Sequence, residues 1–196
     1  MISRSRSGLV LLLAAASLVA ACRVRLERPE TEPARMIEPR LAEPAAAVAA
    51  PNATSVRLLE TQSRSHIGRR VLHLLPDGEM TEDPVWLWTS TPDRYLDSAL
   101  RVAIASNPSI RLVDSRGGRS LAVTLVTWHL EQAPGPRLVG AVEVEVTTPD
   151  RAVHSEMVRA EEAISAGLPG DLSVAAGRLL GRLAADCLSR VMRPGP

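Results

Sequence analysis

The sequence contains no lysine and no phenylalanine, one tyrosine, three tryptophans and only two cysteines. Each shortage closes a line of function. Without lysine there is no P-loop lysine, so the chain is not a transporter's ATPase, and no Ser-x-x-Lys acylating pair exists. All 23 basic residues are therefore arginine, which with abundant alanine points to a GC-rich coding bias rather than to an activity. An excess of one charge is also missing: 23 basic residues stand against 22 acidic ones. That balance argues against nucleic-acid binding, which needs a basic face, and leaves no polybasic patch for anionic lipid. The apolar run from Gly8 to Ala21 is about 14 residues long, short of the roughly 20 that a membrane-crossing helix needs.

Catalytic constellations are equally scarce. No Gly-x-Ser-x-Gly elbow occurs, and Arg116-Gly117-Gly118-Arg119 reads as a hairpin turn rather than a phosphate-cradling loop. The histidines are His66, His73, His129 and His154, and no two lie three or four residues apart, as a zinc site on one element would want. Glu143 and Glu145 share a strand face, and alternation puts that face toward solvent. The sequence thus predicts no enzyme: no catalytic residues, no cofactor and no metal site.

What is present begins at the N-terminus. Arg4 and Arg6 precede the apolar run, which ends in Val19-Ala20-Ala21-Cys22. This is the n-region, h-region and small-residue cleavage site of an export signal, residues 1–21. A cysteine directly after the small residues makes it a lipobox, with cleavage between Ala21 and Cys22 and lipid attachment at Cys22. Acyl chains contribute about 0.8 kcal/mol per buried methylene, so a multiply acylated cysteine holds a membrane almost permanently. With Cys22 acylated, Cys187 is left unpaired and no intrachain disulfide framework forms. Position 23 is Arg rather than Asp. Under the enteric sorting rule the absence of Asp favours the periplasmic face of the outer membrane. Of the 23 basic residues, Arg4 and Arg6 lie in the leader, which leaves 21 against 22 acidic ones in the processed chain.

Residues 22–54 are rich in Pro, Ala, Glu and Arg, without aromatics or sustained periodicity. Such a composition predicts a disordered tether, with an r.m.s. reach of roughly 30 Å as a flexible coil. Residues 55–193 then suit a single domain with one core. Val56–Glu60 and Arg69–Leu75 read as strands, the second closed by Pro76-Asp77-Gly78. Pro84–Trp88 is extended and leads to a helix start, with Thr91 as cap, Pro92 at the first helical position and Asp93 in the first turn. Tyr95, Leu96, Ala99, Leu100 and Ala103 form its apolar face, and Asn107-Pro108 ends it. Ile110–Asp114, the alternating run around Leu121–Val126, Leu138–Val146 and Ala152–Ala160 are further strands. Leu172, Ala176, Leu179, Leu180, Leu183, Cys187 and Val191 line one face of a last helix, with Asp171 near its start. The predicted fold is α+β: an antiparallel sheet, with a meander at about 120–160, and two helices packed on one face. Two indoles beside a helix start admit two readings, core packing or partner docking, because Trp is enriched at interface hot spots. Trp86, Trp88 and Tyr95 are the candidate docking residues.

Several of these features coincide with one family. The lipobox at Cys22, the segment Trp86-Leu87-Trp88 before the first helix and Tyr95–Leu100 within it belong to the pattern. So do the run Leu121–Leu130 and the amphipathic helix Leu172–Val191. Together they resemble the ABC-type transport auxiliary lipoproteins, the PqiC-like lipoproteins that accompany MCE-domain (MlaD-like) lipid transporters. The resemblance implies a non-enzymatic auxiliary component of an MCE-type ABC lipid-transport system, anchored at the outer membrane. It also implies an MCE-domain partner and a homo-oligomer. The alternative is another envelope lipoprotein, an outer-membrane assembly factor or a cell-wall synthase activator.

Overall fold

The computed structural model describes residues 32–193 apart from 44, 46, 116, 133 and 166–169. The leader, Ala21 and Cys22 lie outside the described residues. The chain separates into a unit of residues 1–33 and one of residues 34–196, and every element below belongs to the second. The strands are β1 (Arg35–Ile37), β2 (Thr54–Leu58), β3 (Gln62–Ser63), β4 (Arg70–Leu74), β5 (Met80–Trp88), β6 (Ile110–Leu112), β7 (Arg119–Glu131), β8 (Arg137–Thr147) and β9 (Val153–Ala163). The helices are α1 (Pro92–Ala105) and α2 (Gly170–Met192).

The expected meander is present as β7–β8–β9. β8 pairs antiparallel with β7 from Leu138↔Leu130 to Thr147↔Ser120, and with β9 from Arg137↔Ala163 to Thr147↔Val153. A bulge between Leu125 and Thr127 resets the pleat of β7, so Leu121, Val123 and Leu125 point to the core before it and Trp128 and Leu130 after it. The rest of the sheet corrects the expectation of an antiparallel sheet. β1 pairs parallel with β5, β2 with β6 and β7, and β3 and β4 with β7. β7 is the hub of one mixed nine-stranded sheet. Side-chain alternation fixes which way a strand's residues point; it does not fix the direction of the neighbouring strand.

The helices pack on each other and on the sheet, and so share one face. Pro92 opens α1 behind an extended Thr91, which occupies the cap position without a side-chain capping bond. Leu96 and Leu100 are fully buried. On α2 every anticipated core position, from Leu172 to Val191, is buried. Gly140 on β8 lets the helix approach: a Cβ there would lie 3.0 Å from Leu183 Cδ1.

The tether expectation over 22–54 fails for its second half. Residues 34–53, apart from 44 and 46, form a strap bound to the domain. β1 extends the sheet beyond β5, and Ile37 is 2 % exposed. The Ser173 hydroxyl donates to the Glu38 carbonyl, and the Arg40 N–H donates to the Ser173 carbonyl at 3.0 Å. Leu41 packs against the core. The Ala47 and Ala50 N–H groups then donate to the carbonyls of Ala105 (3.2 Å) and Pro108 (2.8 Å). The strap therefore runs from the sheet over α2 to the end of α1. Composition pointed to disorder because few side chains here can be buried. Three of them, Ile37, Pro39 and Leu41, combine with backbone pairing to hold it.

Candidate functional site

The indole segment divides into a core part and a rim. Trp88 is 1 % exposed and meets Trp128 edge-on, with ring centroids 5.8 Å apart. Tyr95 is buried at the start of α1, where its hydroxyl accepts the Ser90 N–H at 2.8 Å and shares a hydrogen bond with Thr89. It pins the turn between β5 and α1. Trp88 and Tyr95 are therefore sealed by packing and present no surface to a partner. Trp86 differs: it is half-buried, and the Arg35 guanidinium lies over its ring at 5.5 Å. Trp86 also packs against the core, on the same sheet face as Ile37 and Trp88, whereas Met36, 54 % exposed, pairs with Leu87 on the other face, where Arg69 reaches it. The Arg69 Nε donates to the Trp88 carbonyl at 3.1 Å and its Nη2 to the Met36 sulfur at 3.7 Å. Of the three candidate residues only Trp86 is left partly exposed, and its cover is one that no local motif could reveal, because Arg35 comes from the strap.

Two histidines sit beside carboxylates. His73 Nε2 lies 2.9 Å from Asp83 Oδ2, while Asp83 Oδ1 accepts the N–H groups of Val85 and Trp86, both at 2.8 Å. Burial pushes the Asp83 carboxyl up, but those two N–H groups and His73 outweigh it and hold the group below its ordinary range. His129 Nε2 lies 3.2 Å from Glu131 Oε1. Glu131 also takes Arg137 on its other oxygen, from Nε at 2.8 Å and Nη2 at 2.5 Å. There burial again pushes upward, and Arg137 and His129 bring the carboxyl below its ordinary range. These are satisfied pairs within the sheet, and neither is joined by a hydroxyl or thiol nucleophile in any hydrogen bond among the described residues. Glu143 accepts from Ser155 at 3.2 Å and lies 4.0 Å from Arg64, while Glu145 is exposed. Among the described residues no group of three or more His, Cys, Asp or Glu side chains could hold a metal. Burial pushes the Cys187 thiol up to about 12, with the Arg190 charge opposing. Such a thiol is inert.

No protein-family model matches the sequence, and no curated protein does. Solved structures do. Protein XCC0632 from Xanthomonas campestris, of the family designated DUF330, superposes with a TM-score of 0.62 at 15 % identity, over 79 % of this chain and 91 % of that one. An uncharacterized protein superposes at 0.66 and 13 % identity, over 82 % of this chain and 99 % of that one. At such identities the likeness is one of fold. It spans nearly the whole of both of those structures.

Among the described residues no helix is long and apolar enough to cross a membrane. At the β1–β5 edge Arg35, Met36 and Arg69 are exposed and Trp86 is half-buried. The pairing of His129 with Glu131 was legible as an i, i+2 pair on one strand face. The Arg35–Trp86 stack, 51 positions apart, was not.

Proposed function

We propose that the protein is a lipid-anchored envelope lipoprotein that acts by binding rather than catalysis, as the auxiliary component of an MCE-type ABC lipid-transport system. The observation that carries the reading is the lipobox at Cys22, followed within about a dozen residues by the packed domain that starts at Ala34. An acylated cysteine so close to a folded α+β domain makes a membrane-held docking module. The segments Trp86-Leu87-Trp88, Tyr95–Leu100, Leu121–Leu130 and Leu172–Val191, on which with the lipobox the resemblance to the PqiC-like lipoproteins rests, support the choice of partner class. In this reading Cys22 holds the domain at the periplasmic face of the outer membrane, and the domain grips an MCE-domain protein, alone or as a homo-oligomer.

In-cell crosslinking of the full-length protein, followed by mass-spectrometric identification of partners, tests the reading. Recovery of an MCE-domain protein is the expected result. Recovery of a penicillin-binding protein or an outer-membrane assembly barrel, with no MCE protein, refutes it in favour of the alternative class.

A further inference from the structure

The strap changes what the lipid anchor can do. Only residues 23–33 separate Cys22 from the packed unit. Whatever its conformation, a link of that length spans at most roughly 40 Å. The chain reaches the domain at β1, beside Trp86. There Arg35 lies over the Trp86 ring, Met36 is exposed, and Arg69 reaches Met36. Among the described residues no carboxylate lies within ion-pair range of Arg35 or Arg69. Their neighbour Arg70 is paired, to Glu82 at 3.2 Å.

We propose that the β1–β5 edge is the face this domain turns toward the lipid surface holding Cys22, with Trp86 and Met36 at the headgroup level and Arg35 and Arg69 on lipid phosphates. This deepens the proposed function and rests on its lipid anchor. Three observations converge on a bilayer as the occupant. The chain outside the described domain leads to Cys22 and ends there on lipid. The edge it leaves from carries two arginines with no acidic partner among the described residues, which complement anionic headgroups. The half-buried Trp86 indole lies under Arg35 on one face of this edge and the exposed Met36 thioether lies by Arg69 on the other, and tryptophan favours the interface between hydrocarbon and water. The patch is too small to bind a membrane alone. It does not need to, because a short tether raises the local concentration of the surface enough for weak contacts to set orientation. The opposite edge, β9, is turned away. It lies five strands from β1 along β1–β5–β4–β7–β8–β9, roughly 24 Å at the usual strand spacing, and is free for a protein partner.

Two exposed methionines allow a matched test, Met36 on β1 and Met157 on β9, at 54 % and 53 % exposure. Full-length lipoprotein carrying Met36→Cys or Met157→Cys is labelled with an environment-sensitive dye. It is then reconstituted in phosphatidylethanolamine–phosphatidylglycerol vesicles containing doxyl-labelled lipid. Acylated Cys22 and buried Cys187 do not compete for label. The expected result is several-fold stronger quenching at position 36 than at 157. Adding Arg35→Gln and Arg69→Gln to both labelled proteins should narrow that difference while vesicle pelleting persists. Equal quenching at the two positions, or stronger quenching at 157, in protein that pellets with vesicles overturns the inference alone. An intact mass without acyl chains on Cys22 overturns the anchor reading, and this inference with it.

Discussion

Gly177 sits in the middle of α2, where helix propensity disfavours glycine by about 1 kcal/mol relative to alanine. Its reason is the strap: a Cβ at this position would fall inside the carbonyl of Arg40. Gly181, one turn on, is exposed and meets nothing. The two glycines should therefore respond with opposite sign. Gly181→Ala should raise stability in urea unfolding by about 0.5–1 kcal/mol. Gly177→Ala should lower it by about 1–3 kcal/mol, because backbone rather than a flexible side chain must move. A stabilising Gly177→Ala would show that Arg40 does not cross there. The depressed carboxyls of Asp83 and Glu131 give a second residue-scale expectation. A carboxyl whose folded value lies below its unfolded one binds its proton later in the folded state. The stability it contributes is full above the unfolded value and declines as pH falls toward the folded one. The ordinary values are 3.8 for Asp83 and 4.5 for Glu131. Urea midpoints should hold near neutrality and drop below about pH 4.5, and Asp83→Asn and Glu131→Gln should each flatten part of that drop. An undiminished acid slope in both variants would contradict the assignment.

At the scale of elements, what was legible tracks what the side chains encode. Leu138 to Val146 forms β8 with every even position buried, and from Val142 on the odd positions Glu143 and Glu145 are not buried, whereas Val139 and Ala141 before them are buried as well. Leu172 to Val191 repeats at helical spacing, and all of its apolar face is buried in α2. The strap carries no period at all. Its β1 is a three-residue strand, fixed by pairing with β5 and by a few contacts on α2, information that resides in distant residues such as Ser173 and Gly177. The parallel pairings of β2, β3 and β4 with β7 were illegible for the same reason: strand direction is decided by crossovers, not by local pattern. The indole segment was half legible. Trp88 is sealed in the core and Trp86 only half-buried at its margin, and what separates them is the row of β1 residues opposite, Ile37 for Trp88 and Arg35 for Trp86. The strap's share of stability is testable through Ile37, the buried member of β1. Ile37→Ala should cost about 2–4 kcal/mol in chemical denaturation, and a change within about 0.5 kcal/mol, the range of ordinary surface substitutions, would mean that β1 contributes no packing.

At the scale of the whole molecule, the strap turns a leash expected to run to residue 54 into a link that ends where the packed unit begins, at Ala34. A domain on a long coil samples space at random. One held within roughly 40 Å of its anchor is confined beside the membrane, and its orientation can matter to whatever docks on it. Both the proposed partner class and the proposed membrane-facing edge depend on Cys22 carrying lipid. The direct measurement is membrane fractionation of cells expressing the wild-type chain and the Cys22→Ser variant, with intact-mass analysis of the wild-type N-terminus. The account predicts an acylated Cys22 and wild-type protein in the membrane fraction, with Cys22→Ser soluble or unprocessed. Wild-type protein without acyl chains, or a processed Cys22→Ser variant retained in the membrane, would contradict it.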